Sequence, residues 1–184
     1  MRGFILLPGL LFIFSLARAV EVTKISIAEL SNLQVEARKV TQNQLPLLIM
    51  FSAEHCLYCE TVKEEFIKPM LRGGHYTNKV LIRKLELDNH KTLKDFNGIG
   101  ISARQLASRY KVFVTPTLIF IDAKGQQLTD PLIGIATVDY YGGYLDDAIN
   151  KSLIALKKGL SNPQKHAQIS SLSENGALPL HDGD

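Results

Sequence analysis

The sequence of 184 residues contains only two cysteines, Cys56 and Cys59, with two residues between them. Because a structural zinc site normally takes four cysteine or histidine ligands, this count disfavours structural zinc. The chain also lacks a run of basic residues, so nothing in it indicates nucleic-acid binding. No internal repeat is present. With 46% hydrophobic and 21% charged residues, the composition suits one globular domain with an apolar core.

Long apolar runs are missing except at the N-terminus. Arg2 precedes the stretch FILLPGLLFIFSL, and Ala17 and Ala19 place small residues at positions −3 and −1 of a cleavage site. This pattern predicts a cleaved secretory signal peptide over residues 1–19, with Val20 as the first mature residue. A retained membrane anchor is the alternative, although the run is short for a spanning helix, which needs about 20 apolar residues.

Removal of the predicted signal peptide changes the charge and the surroundings of the chain. The formal net charge falls from +3 to +1, because 19 basic and 18 acidic residues remain. Export delivers the cysteines to a compartment where disulfides persist. No later segment approaches spanning length, so we expect no stable membrane insertion of the mature chain. Residues 20–158 are predicted to form the domain, and the polar, aperiodic residues 159–184 a flexible tail.

Apolar runs and helical periodicities alternate along the domain. Strands are predicted over residues 20–27, 47–51, 79–88, 115–122 and 128–135. Helices are predicted over residues 28–44, from the cysteines onward, from Ser102, and over 144–158, with Pro69 expected to kink or end the second one. Residues 89–101 are the least regular. This order predicts an α/β fold with parallel strands joined by helices, and a turn at residues 123–126 adds an antiparallel edge.

The two cysteines lie where a buried strand gives way to a helix. Cys56 falls at the helix N-terminus, where free backbone N–H groups and the helix dipole favour an anion. This placement lowers the pKa of the thiol and raises the fraction of reactive thiolate. Cys59 lies one turn later on the side that faces the core. The pattern therefore predicts Cys56 as the exposed nucleophile and Cys59 as the buried resolving thiol.

Two other uses of the pair stay open at this point. A purely structural disulfide between Cys56 and Cys59 would close a very short loop and would gain little chain entropy. A copper-binding chaperone is a further alternative, because soft thiolates suit Cu(I). We expect neither a metal site nor a cofactor other than the redox-active disulfide itself.

The chain resembles the thioredoxin superfamily, and specifically the small secreted bacterial thioredoxin-related proteins, over about residues 22–158. The matching stretches are LLIMFSAEHCLYC, VFVTPTLIFID and GQQLTDPLIGI. The resemblance implies a thioredoxin fold, with a central mixed sheet flanked by helices. It also implies a cis proline at Pro116 that packs against the cysteines. By the same resemblance, the backbone of Thr115 would pair with a bound substrate strand and its side chain would tune Cys56.

The chain departs from ordinary thioredoxins at several positions. His55 stands where they have tryptophan, and Leu57 and Tyr58 stand between the cysteines in place of Gly-Pro. Met50 replaces the buried acid that usually accepts the proton of the resolving thiol, which disfavours fast cytosolic-type reductase kinetics. Protonated His55 would stabilise the neighbouring thiolate and make the pair more oxidising, unless it merely faces solvent. Tyr58 and the Thr-Pro pair are similar to periplasmic disulfide isomerases.

These features together predict a periplasmic thiol–disulfide oxidoreductase that exchanges disulfides with protein substrates, acting as a reductase. A disulfide donor or isomerase is the alternative. The expected partners are protein thiols or disulfides and a separate redox partner, such as a membrane electron donor. The predicted catalytic residues are Cys56 and Cys59, and the predicted supporting residues are His55, Leu57, Tyr58, Thr115 and Pro116.

Overall fold

The computed structural model describes residues 25–161. The helices are α1 (Leu33–Asn43), α2 (Leu57–Thr61), α3 (Lys68–Gly73), α4 (Ala103–Arg109) and α5 (Val138–Ser161), and a π-helical segment (Val62–Ile67) joins α2 to α3. The strands are β1 (Leu47–Ser52), β2 (Leu81–Glu86), β3 (Leu93–Lys94), β4 (Gly100–Ile101), β5 (Thr117–Ile121) and β6 (Leu132–Ile133). None of these helices has the length and apolar character of a membrane-spanning segment.

The main sheet has four strands in the order β2-β1-β5-β6. Strand β1 pairs with β2 in parallel and with β5 in antiparallel orientation, so that Met50 lies between Lys84 and Leu118. Strands β3 and β4 form a separate two-stranded sheet. The predicted α/β class, a central mixed sheet flanked by helices, is therefore confirmed. Strand β5 is antiparallel to β1, however, whereas the alternation of strands and helices predicted parallel strands.

Both faces of the sheet are covered, as the unbroken apolar sequence of β1 predicts. Side chains alternate between the faces, because successive residues of a strand point to opposite sides. On the face that we call the helix-α1 face, Ile49 and Phe51 pack with residues of α1 and α4. On the opposite face, which we call the cysteine face, Leu48 and Met50 pack with Cys59 and residues of α5.

The N-terminal part of the domain differs from the sequence prediction. Residues 20–24 of the predicted first strand lie outside the described part of the chain, and residues 25–27 are not in a strand. Helix α1 begins at Leu33 rather than near residue 28, because Asn32 is extended and its side chain accepts a hydrogen bond from the Val35 N–H (3.2 Å). Before it, Glu29 and Asn32 form isolated bridges to Lys84 and Lys94.

The sequence predicts that Pro69 kinks or ends the helix that follows the cysteines. The helical path instead continues past Pro69 to Gly73. Pro69 is the second residue of α3 and is separated from the π-helical segment by Lys68 alone. The missing N–H of a proline is least costly in the first turn of a helix. The π-helical segment also changes the hydrogen-bond pairing in the turn before Pro69. The helical path ends at Gly74, which has a left-handed φ of 69°.

Two further boundaries were wrong in the prediction. Helix α5 begins at Val138 rather than at residue 144, and it includes Gly142 and Gly143, whose helix-breaking tendency misplaced the predicted start. The predicted strand over residues 128–135 is reduced to β6, and an isolated bridge between Gln127 and Ile121 lies just before its predicted start. Pro131 lies between these two pairings and has no N–H to donate to a strand ladder.

Candidate active site

Cys56 and Cys59 form a disulfide at the start of α2, with their Cα atoms 5.2 Å apart. Cys56 is the N-cap residue of the helix, and its sulfur accepts a hydrogen bond from the Cys59 N–H at 3.2 Å. Cys59 is fully buried, whereas Cys56 is partly exposed. The two sulfurs therefore differ in access to solvent. The Cys56 sulfur is accessible and accepts a hydrogen bond from a backbone N–H, which is the kind of contact that stabilises a thiolate.

Thr115 and Pro116 lie beside the disulfide, at the start of β5. The Thr115–Pro116 peptide bond is cis. The Thr115 hydroxyl donates to the Cys56 sulfur at 3.5 Å. The buried Pro116 offers its carbonyl to the Gly134 N–H at 2.8 Å, which ties this turn to the residue that follows β6. The structure thus brings Thr115, named from the sequence, into contact with Cys56 from 59 residues away.

The loop between β1 and the cysteines is fixed mainly through its backbone. The Leu87 N–H donates to the Ser52 carbonyl at 2.8 Å, and the Glu54 N–H donates to the Asp88 carboxylate at 2.8 Å. His55 has a left-handed φ of 57°, and its imidazole lies 3.7 Å from the Glu54 carboxylate with the side chain 91% exposed. Sequence reasoning missed Asp88, which it placed at the end of the strand predicted over residues 79–88, and no local pattern indicated that its side chain would bind this loop.

Exposed apolar side chains flank Cys56 and the Thr115–Pro116 turn along the sequence. Leu57 is 82% exposed and Tyr58 is 63% exposed. Phe113 (85%) and Val114 (51%) are also exposed, directly before Thr115. We call these four residues the apolar rim. The sequence named Leu57 and Tyr58 but missed Phe113 and Val114, although the stretch VFVTP places two large apolar residues next to the proline turn.

Behind Cys59, Met50 is fully buried where the family has an acid. Its Cα partner on β2 is Lys84, which forms ion pairs with Glu29 (2.8 Å) and Glu86 (2.6 Å). Burial lowers the pKa of Lys84, but the hydrogen bonds to these two carboxylates outweigh it, and the net pKa is raised. The positive charge of Lys84 is thus compensated by the two carboxylates at the sheet edge, and Met50 places no acid behind Cys59.

Within residues 25–161, two buried hydroxyl groups on the cysteine face have no hydrogen-bond partner among the protein atoms. One is Ser52 Oγ at the end of β1, where the alternation of the strand directs it to the same side as Met50. The other is Tyr141 Oη on α5, whose ring packs against Phe66 at a centroid distance of 4.9 Å. Burial raises the pKa of Tyr141. Among residues 25–161, no group of three or more His, Cys, Asp or Glu side chains is arranged to hold a metal ion.

Comparison with known proteins gives a family and a set of similar folds. The sequence model of the family described as thioredoxin-like domain matches residues 33–149. No curated protein sequence matches the chain significantly. Similar solved structures include Fasciola hepatica thioredoxin (16% identity, 68% of this chain and 99% of that chain, TM-score 0.47) and the oxidised C-terminal domain of Neisseria meningitidis DsbD (12%, 66% and 99%, 0.46). A DsbH oxidoreductase is a third (20%, 68% and 86%, 0.47).

The matched region spans well over half of the chain and contains the disulfide, the Thr115–Pro116 turn and the whole main sheet. The chain therefore belongs to the thioredoxin superfamily, and with its redox-type Cys56–Cys59 pair it is a thioredoxin-like thiol–disulfide oxidoreductase.

Proposed function

We propose that the mature protein works in the periplasm as a reductase of protein disulfides, with Cys56 as nucleophile and Cys59 as resolving thiol. The observation that carries these roles is the difference between the two sulfurs. Cys56 is partly exposed and accepts hydrogen bonds from the Cys59 N–H (3.2 Å) and the Thr115 hydroxyl (3.5 Å), while Cys59 is fully buried. A substrate disulfide can reach only the first sulfur, and the donors stabilise that sulfur as a thiolate.

The exchange proceeds in two balanced steps. The Cys56 thiolate attacks one sulfur of the target disulfide, which forms a mixed disulfide and releases the other target sulfur as a thiolate. Cys59 then loses its proton and attacks the Cys56 sulfur, which releases the second target sulfur and forms the Cys56–Cys59 disulfide. Two electrons have passed from the protein to the target, and a separate dithiol donor must restore the reduced pair.

The apolar rim supports protein substrates rather than small thiols. Leu57, Tyr58, Phe113 and Val114 lie within three residues of Cys56 or of Pro116 and present large apolar side chains to solvent. A cluster of exposed apolar side chains next to a reactive group indicates a contact surface. Such a surface suits an extended apolar segment on either side of a target cystine.

The position of His55 supports the reductase direction. A cation held against Cys56 would stabilise the thiolate and make the pair a stronger oxidant. The His55 imidazole instead lies 3.7 Å from the Glu54 carboxylate and its side chain is 91% exposed, where water and salt screen electrostatic interactions. Export is supported by the sequence of residues 1–19, with its positive start, apolar run and small residues before Val20.

The direct test of direction is the equilibrium redox potential of the Cys56–Cys59 pair in the mature protein, titrated with a dithiol buffer. A value near about −270 mV, as for thioredoxin, is expected for a reductant, and a value toward about −120 mV would instead establish an oxidant. Cell fractionation with N-terminal sequencing tests the location. Mature protein that begins at Val20 in the periplasmic fraction is the expected result, and uncleaved protein in the membrane would contradict it.

Serine variants test the roles of the two sulfurs. We expect Cys56→Ser to reduce exchange with a disulfide substrate to the uncatalysed level, because the only accessible thiolate is removed. We expect Cys59→Ser to accumulate a mixed disulfide with the substrate, visible on non-reducing gels. Exchange activity retained by Cys56→Ser would reverse the assignment. A wild-type protein that binds Cu(I) through both thiols but exchanges no disulfides would be a copper chaperone instead.

A further inference from the structure

We propose that Asp88 is a positioning residue that sets the reactivity of Cys56, by holding the backbone of the loop that leads into the disulfide. The inference rests on the proposed role of Cys56 as the nucleophile. Asp88 lies outside the Cys-x-x-Cys and Thr-Pro motifs, and its side chain approaches the loop through the Glu54 N–H.

The loop has little besides its backbone to hold it. After Ser52 the main sheet ends, and the side chains of Glu54 and His55 are exposed to solvent. Leu87 and Asp88, the two residues that follow β2, bind the backbone of Ser52 and Glu54. The Leu87 N–H donates to the Ser52 carbonyl, and two residues further along the loop the Asp88 Oδ2 accepts the Glu54 N–H, both at 2.8 Å. The aspartate thus extends the β1–β2 pairing with its side chain, to within two residues of Cys56.

The Asp88 carboxylate is itself held in place by its second oxygen. Arg104 Nη2, in the first turn of α4, donates to Asp88 Oδ1 at 3.0 Å. One oxygen therefore binds the redox loop and the other binds a helix that is fixed to the core through Leu106. This division gives the carboxylate a defined orientation even though Arg104 is mostly exposed and the ion pair on its own stabilises little.

The orientation of the loop determines which donors reach the Cys56 sulfur. His55 adopts a left-handed φ of 57°, a conformation that a non-glycine residue keeps only when its surroundings enforce it. Directly after it, Cys56 is extended and its sulfur meets the Cys59 N–H and the Thr115 hydroxyl. If the Glu54 N–H were released, His55 could relax and the sulfur would move away from these donors. The thiolate would then be less stable, and the reduced protein would be less stable relative to the disulfide.

The test compares Asp88→Ala with Asp88→Asn and with a matched control, Asp95→Ala. The asparagine keeps one oxygen acceptor for the Glu54 N–H and loses the charge. Asp95 belongs to a second Asp–Arg pair in the same part of the fold, where it binds Arg109 and the Phe96 N–H rather than the redox loop. Two readouts are measured for each protein: the rate at which the reduced form is alkylated by iodoacetamide at neutral pH, and the ratio of disulfide to dithiol in a fixed dithiol buffer.

For Asp88→Ala we expect alkylation of Cys56 to be about fivefold slower and the ratio of disulfide to dithiol to be about fivefold higher. A factor of about five is the change in an equilibrium constant that the loss of one hydrogen bond produces. Asp88→Asn should fall between the wild type and Asp88→Ala, because its one oxygen can still accept the Glu54 N–H but no longer binds Arg104 as well. Asp95→Ala should lose stability without a change in either readout. The inference is overturned if Asp88→Ala equals the wild type, if Asp88→Asn changes as much as Asp88→Ala, or if Asp95→Ala changes equally. Wild-type protein that fails to reduce a disulfide substrate would refute the proposed function, whereas the alkylation contrast between variants tests Asp88 separately.

Discussion

The helix-α1 face of the sheet pairs its buried acids with cations. Asp95 is buried, and both of its oxygens accept from the Arg109 guanidinium, at 2.8 Å and 2.6 Å. Glu36 lies between Arg83 (2.8 Å) and Lys39 (2.9 Å), where the contact with Arg83 is an ion pair without hydrogen-bond geometry. Buried charges are tolerated where such partners compensate them. The buried acids of the helix-α1 face therefore have partners that offset the cost of burying their charge.

The cysteine face differs, because the groups buried around Cys59 carry no fixed charge. Met50 occupies the centre of β1 there, and the Ser52 and Tyr141 hydroxyls are buried without a partner. Lys84, on the same side as Met50 by strand register, is directed to carboxylates at the edge. A buried polar group without a partner costs stability, and a role near a redox site is one physical reason for a protein to keep one. The difference teaches that this domain, over its described residues, buries its paired carboxylates, Glu36 and Asp95, on the helix-α1 side, and keeps the surroundings of Cys59 on the other side free of buried acids.

Placing a charge on the cysteine face should have the largest effect. We expect Met50→Asp to lower the free energy of unfolding by about 3 kcal/mol at neutral pH, because a buried carboxylate without a partner is strongly unfavourable. Burial raises the pKa of such a carboxyl in the folded state, so the loss should shrink as the pH falls toward the ordinary pKa of aspartate. Denaturant unfolding at about pH 5 and about pH 8 measures this dependence.

Met50→Leu is the matched control, and it should cost less than about 1.5 kcal/mol because it conserves volume and apolarity. If Met50→Asp were as stable as Met50→Leu at the higher pH, Lys84 would have supplied the missing partner. The cysteine face would then accept charge as readily as the helix-α1 face, and the contrast between the two faces would fail.

Removing a charge from the helix-α1 face should have the next largest effect. The hydrogen bonds from Arg109 hold the pKa of Asp95 below its usual 3.8. The carboxylate therefore contributes stability that is fully present above that value and is lost as the pH falls through the lower folded-state pKa. We expect Asp95→Asn to cost about 2 kcal/mol at neutral pH, in the range for a hydrogen bond to a charged group.

Unfolding curves of Asp95→Asn and wild type at neutral pH and in acid check this prediction. The difference in unfolding free energy between the two proteins should become smaller in acid, because the wild-type carboxyl is then protonated and uncharged, like the asparagine. A difference that stayed constant down to about pH 2 would show that the contribution of Asp95 does not depend on its charge.

Much of the fold was predictable because local patterns and tertiary packing agree. The apolar runs at 47–51 and 115–122 became β1 and β5, and the Ser102 capping box with Gln105 is formed as the sequence indicated. The start of α5 was misplaced because packing of Tyr141 and Leu145 against the sheet outweighs the poor helix propensity of two glycines. Propensity is a local quantity, and the compensating contacts are not.

The site was predictable only as far as its motifs extend. The positions of Cys56, Cys59 and Thr115 follow from two short motifs, and the structure places them together. The contact between Asp88 and the Glu54 N–H depends on the register of β2 against β1, which no local pattern specifies. The same holds for the partnerless hydroxyls, because hydrogen-bond satisfaction is a property of the assembled core.

Two tyrosines allow the contrast between the faces to be tested with the smallest change. On the helix-α1 side, Tyr110 donates its hydroxyl to the Gly125 carbonyl at 2.9 Å, and burial raises the pKa of Tyr110 to about 12. On the cysteine face, Tyr141 is more deeply buried than Tyr110, and its hydroxyl has no partner among the described residues. We expect Tyr110→Phe to lose about 1 kcal/mol of unfolding free energy, while Tyr141→Phe should be neutral or gain up to about 1 kcal/mol, because it removes an unsatisfied polar atom.

Parallel denaturant titrations of the two oxidised variants measure this difference directly. Both substitutions remove one oxygen and leave the ring in place, so that changes in packing are matched and only the hydrogen-bond state differs. An equal loss in both variants would mean that the Tyr141 hydroxyl has a buried partner such as an ordered water. The cysteine face would then satisfy its polar groups as fully as the other face, and partnerless hydroxyls would not be a property of the redox side.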